Sequence, residues 1–145
     1  MNDLPYLPAG REILYAAADN EFMMAARAAA ETLSSDKEHP TGVVITRDGG
    51  ILARGANVST YHEEHGCRRK ELHIPTGEGY ELCEGCDPRN HAEQGAISEV
   101  QGGCKNADIY LWGHWWCCES CWSKMIEAGI KNVYLAAGAE EKFKK

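Results

Sequence analysis

Apolar positions along the chain switch between two periods. Phe22, Ala26, Ala29 and Leu33 recur at helical spacing in an alanine-rich stretch, and Asp19 stands where an N-cap belongs. A helix is therefore expected from there to about Leu33. The next apolar residues come in short runs. VVIT (Val43 to Thr46), the turn DGG and ILARG (Ile51 to Gly55) read as a β-hairpin. Polar residues then dominate from Val58 to Asn90, a span too long for a plain connection and so either functional or tied down. Helical spacing resumes near His91 and stops at Gly102 and Gly103. IYLW (Ile109 to Trp112) is a strand, Cys118 to about Ala128 a helix stopped by Gly129, and VYLAA (Val133 to Ala137) a last strand. The first dozen residues carry two prolines and a glycine and are expected to wrap the surface. The tail, AGAEEKFKK, is short and charged.

The resulting order is α-β-β-α-β-α-β. It predicts an antiparallel pair followed by parallel crossovers, with helices packed on the sheet. No repeat, low-complexity tract or linker divides the chain, so residues 1–145 are expected to form a single domain.

Composition narrows the function. The chain is 43% hydrophobic and 26% charged, as soluble globular proteins are. No apolar run approaches the ~18 residues that a membrane span requires. No basic region followed by an apolar core opens the chain, so a secretory signal is not expected. The net charge of -7 disfavours a long nucleic acid as partner. A small phosphorylated substrate needs only a local basic cluster. Seven cysteines are present: Cys67, Cys83, Cys86, Cys104, Cys117, Cys118 and Cys121. An odd number without an export signal favours metal binding in a reducing, cytoplasmic setting over disulfides.

The chemistry gathers at two helix starts. In NHAEQGAI, Asn90 and Glu93 fit a capping box, while His91 and Glu93 equally fit a metal ligand with an acid–base group beside it. WWCCESCW supplies the second part. Cys118 and Cys121, at i and i+3 of a helix start, can converge on one ion as thiolates. Parallel crossovers bring both helix starts to one edge of the sheet. His91, Cys118 and Cys121 can then bind one zinc and leave its fourth position to water. Glu93 lies close enough to exchange protons with that water. HAE followed by CESC, with 26 residues between His91 and Cys118, is similar to the zinc deaminase signature. Cys117 stands where that signature has proline, a residue suited to the first helical position but not a ligand.

The segment GCRRKELHIPTGEGYELCEGCDPRNHAEQGAI resembles the deoxycytidylate (dCMP) deaminases of the cytidine deaminase superfamily. The matching positions are Cys67, Arg69, Leu72, Ile74 to Glu78, Glu81 to Cys83 and His91 to Ile97, and RGANVS upstream resembles the family's G-x-N. The resemblance spans about Thr41 to Ala136. It implies a three-layer α/β/α fold with a mixed sheet of four to five strands, and hydrolysis of dCMP to dUMP and ammonia. It places the sugar at Asn57, the base at the backbone near Ala92 and Trp116, and proton transfer to ring N3 at Glu93. His114 or Trp115 would line the pocket; for Trp112, Trp115 and Trp116 a core or subunit contact is the equal alternative.

Phosphate would fall to Arg69, Arg68 or Arg89, although a solvated run is the usual fate of such a cluster. Cys67, Cys83 and Cys86 with a histidine such as His65 have the composition of a second, closed structural zinc site; buried free thiols are the alternative. The connection EGCDPRN is longer than the family's. The family also continues past the fourth strand to a helix and a fifth strand, which this chain lacks. An uncovered edge at Val133 to Ala137 then predicts a homo-oligomer. Two rivals remain: a superfamily deaminase acting on cytidine, deoxycytidine or a modified base, and a non-catalytic zinc ribbon built on Cys83-x-x-Cys86 and Cys118-x-x-Cys121.

Overall fold

The computed structural model describes residues 7–8, 10–34, 40–57, 72, 92–100, 103–115, 117 and 119–143. In chain order these form β1 (Ile13–Ala16), α1 (Glu21–Leu33), β2 (Gly42–Arg47), β3 (Gly50–Ala56), α2 (Ala92–Glu99), β4 (Asp108–Trp112), α3 (Glu119–Ala128), β5 (Asn132–Ala136) and α4 (Ala139–Phe143).

One five-stranded mixed sheet runs β1-β5-β4-β2-β3. β2 pairs antiparallel with β3 and with β4, while β4 with β5 and β5 with β1 are parallel. The alternation of side chains along each strand separates two layers of core. Ile45, Ile109, Val133 and Ile13 align across the sheet on the face that packs Ala92 and Ala96 of α2 and Trp122 and Met125 of α3. Val44, Tyr110 and Tyr134 align on the other face, against Met23 and Ala26 of α1. Tyr110 and Tyr134 stack there at 4.5 Å and 5°. The three-layer α/β/α expectation therefore holds.

Small residues let the helices sit close. α1 buries Met23, Ala26, Ala29 and Ala30. A Cβ on Gly42 of β2 would collide with the backbone of Ala26 and Ala30. Leu33, expected on the buried face, is instead 50% exposed, and Met23 takes the core position. The helix also starts one residue later than expected. Asn20 is its cap, with Oδ1 accepting from the backbone N–H of Phe22 at 2.9 Å and of Met23 at 3.1 Å.

The largest addition is β1: the sequence left Ile13–Ala16 without an element, and it pairs with β5 from Ile13↔Val133 to Ala16↔Ala136. Arg11 donates to the carbonyl of Ile130 at 3.0 Å, and Ala137 N–H donates to Ala16 at 2.8 Å, so the pairing is anchored at both ends. The fifth strand comes from the start of the chain rather than its end. With β5 covered, the uncovered edge that predicted a homo-oligomer disappears. The tail, expected as a charged end, forms α4, and Phe143 meets Trp112 edge-on at 5.1 Å. α2 ends at Glu99, short of Gly102 and Gly103. No helix among the described residues is long and apolar enough to cross a membrane.

Candidate active site

α2 and α3 lie side by side on one face of the sheet, and both begin beyond strand ends at the same edge. Their first turns touch. Gln94, in the first turn of α2, donates through Nε2 to Ser120 Oγ at 3.0 Å and lies 3.7 Å from Cys121 Sγ, both in the first turn of α3. This contact realises the predicted meeting of the two helix starts.

α2 is held down by Gly55. A Cβ there would lie 2.6 Å from the carbonyl oxygen of Ala92 and 2.8 Å from Ala96 N. The helix backbone therefore rests directly on β3. Ala92 is fully buried at this contact. Glu93 follows it and is 5% exposed. Among the described residues its carboxyl group has no hydrogen-bond or salt-bridge partner.

Cys121 is fully buried at the start of α3. His91 and Cys118 each directly precede the first described residue of their helix and lie outside the described residues, as does Trp116. Among the described residues no three side chains gather as a metal site, so the coordination set itself is not on view. What is described fits zinc: a buried thiol in the first turn of α3 and two adjoining helix starts. Cys117 is 1% exposed and belongs to the core on the α2 and α3 face.

Asn57 directly follows β3. Its Oδ1 accepts from Thr41 N–H at 2.9 Å and from the hydroxyl of Ser34, and its own N–H donates to Thr41 O at 3.1 Å. The side-chain carbonyl is thus committed to the scaffold. His114 and Trp115 are half-buried in the loop after β4, and Trp115 packs against the core on the α2 and α3 face. Trp112 packs on the opposite face, with Arg27 at 5.2 Å and Lys142 at 5.5 Å from its ring. It is structural. Arg68, Arg69 and Arg89, and the proposed second-zinc residues Cys67, Cys83, Cys86 and His65, lie outside the described residues. An open groove of about 610 Å³, lined by Leu33, Leu52, Arg54, Gly55, Gly95 and Glu99, includes neither Glu93 nor Cys121.

Sequence reasoning missed Gln94, Ser120, Ser34 and Thr41. Gln94 and Ser120 lie inside the two motifs, so their position was a usable signal. Ser34 and Thr41 meet Asn57 only through the tertiary fold.

The model of the cytidine and deoxycytidylate deaminase zinc-binding region matches residues 16–137. No curated protein matches the chain. Among solved structures, the dCMP deaminase of cyanophage S-TIM5 in its apo form is similar at a TM-score of 0.52 and 18% identity, covering 86% of this chain and 87% of that one. The same enzyme in complex with dCMP and dUMP gives 0.50 and 19%, covering 83% of each. At these identities the likeness concerns the fold. The Thermotoga maritima diaminohydroxyphosphoribosylaminopyrimidine deaminase/5-amino-6-(5-phosphoribosylamino)uracil reductase gives 0.49 and 22%, over 79% of this chain and 28% of that one.

Proposed function

The chain belongs to that deaminase family, and we propose that it hydrolyses dCMP to dUMP and ammonia. The observation that carries the catalytic part is the joining of the two helix starts by Gln94, with Glu93 buried beside them. The substrate part rests on the motif residues Cys67 to Glu78 and Glu81 to Cys83, which resemble the dCMP deaminases.

In this reading His91, Cys118 and Cys121 hold one zinc. Bound there, zinc supplies a water acidified enough to attack at neutral pH. Glu93 manages the protons. Its carboxylate accepts one from the attacking water and delivers one to ring N3, which makes C4 electrophilic. A later transfer to the exocyclic nitrogen lets ammonia leave as the C4–N bond breaks. Burial of Glu93 keeps bulk water from intercepting these transfers. Asn57 hydrogen-bonds the sugar, the backbone near Ala92 and Trp116 holds the base, and His114 borders the pocket. Arg69, with Arg68 and Arg89, binds the phosphate.

Cys67, Cys83, Cys86 and His65 form a second, structural zinc site that anchors the segment between β3 and α2. The protein works in a reducing, cytoplasmic compartment on a small nucleotide.

The deciding experiment follows absorbance loss on dCMP, deoxycytidine and CMP, with zinc counted on the same sample. Turnover confined to dCMP supports the phosphate and sugar assignments together. Equal or higher activity on deoxycytidine removes the phosphate site. No turnover of any of the three, with zinc bound, overturns the cytosine assignment.

A further inference from the structure

We infer that Gln94 is a positioning residue for the metal-binding thiolate: its carboxamide orients Cys121 and draws negative charge off the sulfur. This rests on the reading that Cys121 is a zinc ligand.

The geometry is a fork. Nε2 carries two hydrogens. One points to Ser120 Oγ at 3.0 Å and the other to Cys121 Sγ, at a nitrogen–sulfur distance of 3.7 Å, suitable for a weak bond to sulfur. The orientation follows from the chemistry as well as the distances. A metal-bound thiolate has no proton to donate, so only the nitrogen of the carboxamide can usefully face it. Ser120 accepts the second hydrogen and keeps the amide from turning over.

The placement also suits the electrostatics. Cys121 is fully buried, and a buried anionic sulfur needs donors. The first turn of α3 provides its helix dipole. Gln94 adds a side-chain donor from a different helix. Glu93 and Gln94 are neighbours in sequence but point about 100° apart around α2. Glu93 is buried, and Gln94 reaches across to α3. The short motif thus divides two tasks between adjacent residues: proton transfer at Glu93 and control of the ligand at Gln94. A donor on a ligating sulfur weakens its electron donation and leaves the metal more electrophilic.

A simpler role would be to tie α2 to α3. The two roles separate in the spectrum of the cobalt(II) protein, where the sulfur-to-metal charge-transfer band reports charge on the thiolate. Full-length protein is stripped of metal and titrated with cobalt(II) against a competing chelator. The wild-type protein, Gln94→Met, Ser120→Ala and Cys121→Ser are compared. We expect Gln94→Met to bind cobalt(II) about 10–100-fold more weakly, with the band moved to longer wavelength. Ser120→Ala removes only the anchor of the amide and moves the band less than Gln94→Met does. An unmoved band and unchanged affinity in Gln94→Met overturn the inference while leaving the ligand assignment standing. Cys118 keeps part of the band in Cys121→Ser, so a band of undiminished wild-type intensity there overturns the assignment of Cys121 as a ligand and the inference with it. Gln94→Glu, which puts an acceptor where the donor was, provides the same readout should Gln94→Met not fold.

Discussion

The carbonyl oxygen of Ala92 occupies the space that a side chain on residue 55 would need. Gly55 is thus the seat of α2, with only 2.6 Å between its virtual Cβ and that oxygen. Gly55→Ala must push the helix off β3 or strain both backbones. A loss of about 1–3 kcal/mol in urea unfolding is expected, as for other overpacked positions. Turnover should fall as well, because Glu93 moves with the helix. Unchanged stability and activity would mean that α2 does not sit this close.

Glu93→Gln keeps shape and volume but removes the proton carrier. Turnover of dCMP should fall about 10²–10⁴-fold, the usual contribution of a general acid–base group. Zinc content should not change, because the carboxylate is not a ligand in the proposed site. A zinc-free Glu93→Gln protein would instead make Glu93 part of the coordination set. A zinc ribbon would show no effect on either measurement.

Removing residues 1–17 deletes β1 and the Arg11 bonds to the Ile130 region. The backbone edge of β5 is then open to pairing with other chains. The truncated protein should have a lower Tm and should self-associate in sedimentation experiments more strongly than the full chain. If it behaves like the full chain, the β1–β5 pairing contributes little.

Stability should decline in alkali. Burial pushes the Cys104 thiol above its ordinary 9.0, with Arg47 pulling the other way. Burial, and then the neighbouring Tyr134 and Asp108, push the Tyr110 phenol above its ordinary 10.0. Both groups are neutral when protonated, and the unfolded chain ionises first. Their contribution is complete below pH 9, declines as pH rises past these ordinary values and is lost above the folded-state ones. Urea unfolding at a series of pH values should show that decline, and Cys104→Ala should remove its earlier part.

Removing the metal offers a further check on the site. A strong chelator should abolish turnover and lower the Tm, and added zinc should restore both. Activity that survives complete metal removal would exclude the proposed chemistry.

Much of this protein was legible in the order of its residues. Periodicity marked α1, the β2–β3 hairpin, β4, α3 and β5, because each carries an apolar pattern that suits only one kind of element. Two short motifs, HAE and CESC, pointed to one site, because donor spacing is a local property of a helix start. Other features depended on what each segment met in space. Ile13–Ala16 is too short to declare itself a strand, and became one only because β5 offered an unpaired edge beside it. Leu33 has helical spacing but is half exposed, while Met23 takes the core. That Ser34 and Thr41 donate to the side-chain carbonyl of Asn57 follows only from the tertiary fold. Gln94 is an unremarkable polar residue in the sequence, and only the packing of α2 beside α3 gives its amide a sulfur to face. Local pattern determines which elements form. Their neighbours, separated by long stretches of chain, decide which polar atoms are left for chemistry.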